Sequence, residues 1–79
     1  MTRQYQAELL ADICVELTKR QVNNGGSGWH ELMAVSQDLF GMMIQRRHHN
    51  EGETSLVVYD SVNDWKNNRE PLVIRSEQL

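Results

Sequence analysis

Cysteine and proline occur once each in these 79 residues, and the formal net charge is only −3. Each scarcity excludes something. Cys14 alone makes neither an internal disulfide nor a cysteine zinc site, which suits a reducing compartment. No apolar run approaches the ~20 residues that span a bilayer, and Met1–Gln6 lacks the apolar stretch of a signal peptide. The expected location is the cytoplasm, in soluble form. Charge of one sign is scarce too: residues 1–40 hold three basic and five acidic side chains, and residues 41–79 hold five and six. Neither half is a nucleic-acid tail, and the acidity is too slight for a nucleic-acid mimic. A typical domain takes ~100–200 residues, so this is one small domain with a marginal core.

What is present begins with a helix over residues 3–22. Leu10, Ile13, Cys14 and Leu17 fall at i, i+3, i+4 and i+7 and define its apolar face, widened by Ala7, Leu9 and Val22. Glu8, Asp12 and Glu16 repeat every four residues on the other side, a solvated face. Asn23-Asn24-Gly25-Gly26-Ser27-Gly28 ends the helix, with a C-terminal cap near Gly25. This loop lacks the preceding strand and the Gly-Lys-Ser/Thr ending of a phosphate-binding loop.

A second helix is expected over residues 28–49, capped by Ser27 or Gly28 with Glu31 in its first turn. Leu32, Val35, Leu39 and Met43 form a seam, flanked by Trp29, Met33, Phe40 and Ile44. This is more apolar surface than one facing helix can hide. Gly41, a costly residue inside a helix, suggests close backbone approach. Strands follow over residues 55–60 and 71–75, where β-branched and aromatic residues cluster. Their connector holds Ser61 three residues before Asp64, a helix-start spacing, so a helical turn through Trp65 is expected. The resulting architecture is α+β: two antiparallel helices, then a two-stranded β-hairpin (ααββ) with a short helical turn in the connector. Such a hairpin is marginal alone and invites pairing with a second copy.

Catalytic chemistry finds little support. Cys14 lies on an apolar face, where a buried structural thiol is expected instead of a nucleophile. Glu51 and Glu53 occupy a solvated turn, a poor place to raise a carboxyl pKa. No serine sits in a Gly-x-Ser-x-Gly elbow. His48, His49, Glu51, Glu53 and His30 fall short of a metal site in number and spacing. The expectation is a non-enzyme without metal or cofactor.

Two binding readings remain. The first is contact with another protein, by a chain expected to be a homodimer, through Trp29, Met33, Phe40 and Met43, with Trp65 and Arg69 as anchor or rim. The alternative is a nucleic-acid-binding regulator that uses the basic run Arg46-Arg47. In genre the chain resembles the small, motif-poor accessory proteins of bacteriophages and other mobile elements. That resemblance implies inhibition or redirection of a host protein by binding.

Overall fold

Small side chains set how the first helix packs. In the structure, a computed structural model that describes residues 2–21, 28–49 and 54–77, helix α1 runs Arg3–Gln21. Thr2 caps it, its Oγ1 accepting the Tyr5 N–H at 3.1 Å. The buried stripe is Ala7, Leu10, Ala11, Cys14 and Val15. This is a helical repeat, rotated from the expected face of Leu10, Ile13, Cys14 and Leu17. Ala7, Ala11 and Cys14 let the helix approach the sheet closely, which leaves Ile13 49% exposed.

Helix α2 covers Trp29–Val35 and continues as a widened π-type turn over Ser36–Phe40. The buried Ser36 hydroxyl donates to the Leu32 carbonyl at 2.6 Å, the same carbonyl its own N–H reaches in the ladder, and the widened turn follows from there. Gly41 then takes φ 67°, in the left-handed region. Its N–H donates to the Gln37 carbonyl at 2.9 Å, and the Met42 N–H donates to the Ser36 carbonyl at 3.2 Å.

The expected helix over 28–49 therefore ends at Phe40, and residues Met43–His48 form strand β1. Met42, Met43 and Ile44 are buried in succession, which a strand covered on both faces permits. The close approach expected at Gly41 is absent, because a Cβ there would meet nothing within 4 Å. Conformation alone selects glycine. Gly41→Ala should cost about 1–2 kcal/mol despite the open space. Thermal unfolding checks this, with Gly41→Asn losing less; equal losses would remove the conformational explanation.

Strand β2 (Thr54–Tyr59) is central, with β1 and β3 (Val73–Glu77) antiparallel on either side. Ile44 faces Val58 across one ladder, and Val58 faces Val73 across the other. The α+β class holds, but the two-stranded ααββ arrangement does not. A third strand from the same chain takes one edge that a second copy was expected to cover. Both faces of β2 are covered, so all six of its residues are buried. On one face α1 covers Ile44, Leu56, Val58 and Val73. On the other, Met43, Val57 and Tyr59 pack with Met33, Val62 and Trp65. Val62 and Trp65 belong to helix α3 (Val62–Lys66), whose cap Ser61 accepts the Asp64 N–H at 3.0 Å.

Arg3 joins three elements. Its Nε donates to Asp60 Oδ1, its Nη2 to the Asp60 carbonyl and its Nη1 to the Phe40 carbonyl, each at 2.7 Å. Asp12 and Arg75 pair further along α1, holding it to β3. The cap expected near Gly25 lies outside the described residues.

Candidate functional site

Because α1 lies over β2 and β3 while α2 leads into β1, the two helices do not close on each other. A groove of about 470 Å³ remains between them. Leu10, Ile13 and Leu17 line one wall at i, i+3 and i+7. Leu32, Val35 and Leu39 line the other at the same spacing, with Phe40 at its end. The lip is open: Leu39 is 72% exposed, Ile13 49% and Val35 47%. An apolar patch of this kind, continuous across two elements, is the usual mark of an interaction surface. Polar lining comes from Glu31 and Ser36.

Behind Ser36 lies Cys14. Burial pushes its thiol up to about 11 from an ordinary 9.0, with the Ser36 hydroxyl pulling weakly the other way. A thiol so protonated and enclosed packs as a small apolar group and is no nucleophile at neutral pH.

The nominated contact residues separate into two groups. Trp29 and Phe40 rest half-buried against the core under α1, and Phe40 also lines the groove. Met33 reaches both core clusters, and Met43 and Trp65 belong to the one on the far face of the sheet. Met43 is buried, at 7% exposure, while Arg69 is exposed just past α3. The helical face expected to unite Trp29, Met33, Phe40 and Met43 is interrupted by Gly41. The groove residues Ile13 and Leu17 belong to the apolar face of the first helix and Val35 and Leu39 to the seam of the second, and none is among the nominated contact residues. The surplus of apolar side chains over residues 29–44 was the signal that some of them stay uncovered.

The basic run is likewise divided. Neighbours on a strand project to opposite faces. Arg46 lies over the Trp29 ring, its Cζ 4.4 Å from the centroid, whereas Arg47 donates to the Tyr59 hydroxyl. They do not form one phosphate-contacting patch. His48 Nδ1 lies 3.2 Å from Thr54 Oγ1, and His49 Nε2 lies 2.8 Å from Ser55 Oγ. Among the described residues no three His, Cys, Asp or Glu side chains converge as metal ligands; Glu51 and Glu53 lie outside them. No helix among them is long and apolar enough to cross a membrane.

Comparison of the chain with protein-family models, with curated proteins and with solved structures gives no match.

Proposed function

We propose that this chain is a small cytoplasmic binding protein, not an enzyme, that regulates or inhibits another protein by holding part of it in the α1–α2 groove. One observation carries the reading: two rows of aliphatic side chains face each other across an open slot, with Leu39 largely exposed at its lip. Isolated exposed leucines are ordinary, but a two-walled apolar groove on a chain this small is not. Of the residues nominated from sequence, Phe40 contributes directly. Trp29 and Met33 support α2 from beneath, and Trp65 with Arg69 would serve a second contact on the far face.

Leu39→Glu is the test. Because the side chain is exposed, the variant should melt within a few degrees of the parent. It should lose a partner captured by the parent chain from source-cell lysate treated with nuclease, by at least about tenfold. Retention of that partner at parental levels would remove the groove from the binding site. Loss of the partner by nuclease treatment alone would turn the reading toward nucleic acid.

A further inference from the structure

We infer that the groove's occupant is an amphipathic helix with basic residues flanking its apolar stripe, an inference that rests on the groove being the binding site. The helical form follows from the walls. They are made of helix residues whose backbone groups are largely spent within their own turns, so the slot offers aliphatic side chains and few hydrogen-bond partners. An extended segment laid there would leave its N–H and C=O groups unpaired against hydrocarbon, at a cost of several kcal/mol in all. A helix satisfies its own backbone before it docks. Each wall spans eight residues, seven helical steps or about 10 Å, which matches the reach of i, i+3 or i+4, and i+7 anchors on a partner helix.

The basic flank follows from charge. Glu31 is the charged side chain lining the groove, and Asp38, outside the lining, immediately precedes the lip residue Leu39 in the chain. Both are exposed. The net charge of −3 adds a longer-range attraction for cations. A second copy of the chain is the poorer occupant. A two-fold interface would bring both copies' Glu31 and Asp38 to one contact, like charge against like.

The experiment uses the full chain, isotope-labelled, and three designed peptides of about 18 residues, long enough to hold a helix. Two share one leucine stripe, flanked by Lys/Arg in the first and by Glu in the second; the third is the first with its order scrambled. The basic peptide should shift the resonances of Ile13, Leu17, Val35 and Leu39. It should bind about fivefold or more tighter than the acidic one at about 50 mM salt, with the gap narrowing as salt rises. Glu31→Lys with Asp38→Lys should invert the preference, and Glu31→Gln with Asp38→Asn should abolish it. Melting curves on both variants establish that they fold.

Equal binding of the basic and acidic peptides in the groove would overturn the basic flank while leaving the groove as the binding site. Equal binding of the scrambled peptide would overturn the amphipathic helix. Shifts of the same resonances with protein concentration alone, unaffected by any peptide, would make a second copy the occupant and overturn the inference. Failure of the groove itself reads differently: peptides would move residues elsewhere, and Leu39→Glu would bind them as the parent does.

Discussion

Leu56→Ala should lower stability by about 2–5 kcal/mol, the usual range for removing a buried leucine from a core that relaxes only partly. Leu56 is 1% exposed in the middle of the central strand, in the core layer beneath α1. Stability for a domain of this length is about 4–12 kcal/mol, so the substitution removes a large share of it. Ile74→Ala is the matched control. Ile74 sits on edge strand β3 at 57% exposure and should cost about 0.5 kcal/mol or less. Urea unfolding of both variants, with their slopes compared, measures the contrast. Similar losses at the two positions would mean that α1 does not cover the sheet as described.

Alkaline pH should expose the second large effect, through Cys14. The thiol's folded value stands near 11 against 9.0 unfolded, so the folded chain holds this proton more tightly than the unfolded one. Stability from this group is therefore complete below pH 9 and falls as pH rises from 9 to 11. Two pH units correspond to about 2–3 kcal/mol. Tyrosine and lysine titrate in the same range, so the quantity to measure is the difference between the parent and Cys14→Ala. That difference should shrink across the window. A difference constant from pH 8 to 11 would mean that the thiol reaches water in the folded state. A thiol reagent at pH 8 should accordingly label Cys14 only as fast as the chain opens.

The parts of the fold legible from sequence were those where a single pattern dominated. Helix α1, strand β2 and the Ser61-capped turn each carried one period or one capping signal. The second helix misled because Met42, Met43 and Ile44 are apolar in succession and fit a helix flank as readily as a strand buried on both sides. Gly41 held the answer, since a residue at positive φ ends a helix. A lone glycine inside an apolar pattern does not reveal its φ. Strand β1 then changed the meaning of neighbouring residues. Arg46 and Arg47, about 100° apart on a helix, became opposed on a strand, and the basic run lost its common surface. The groove was half legible. The excess of apolar side chains over residues 29–44 was countable, but which ones remain uncovered depended on the small residues Ala7, Ala11 and Cys14. They draw α1 onto the sheet and turn Ile13 outward.

Arg3, Asp12 and Gln4 hold α1 to residues that come much later in the chain: Asp60, Arg75 and Leu72. The helix is therefore secured by residues made well after it. During synthesis, α1 leaves the ribosome without the β3 strand it packs against and cannot bury its stripe there until that strand has emerged. Closing contacts across some 60 residues also delays folding relative to a bundle of local contacts. For that interval the apolar stripe of α1 and its groove wall are both open to solvent. An uncovered stripe of this kind is the surface on which incomplete chains aggregate.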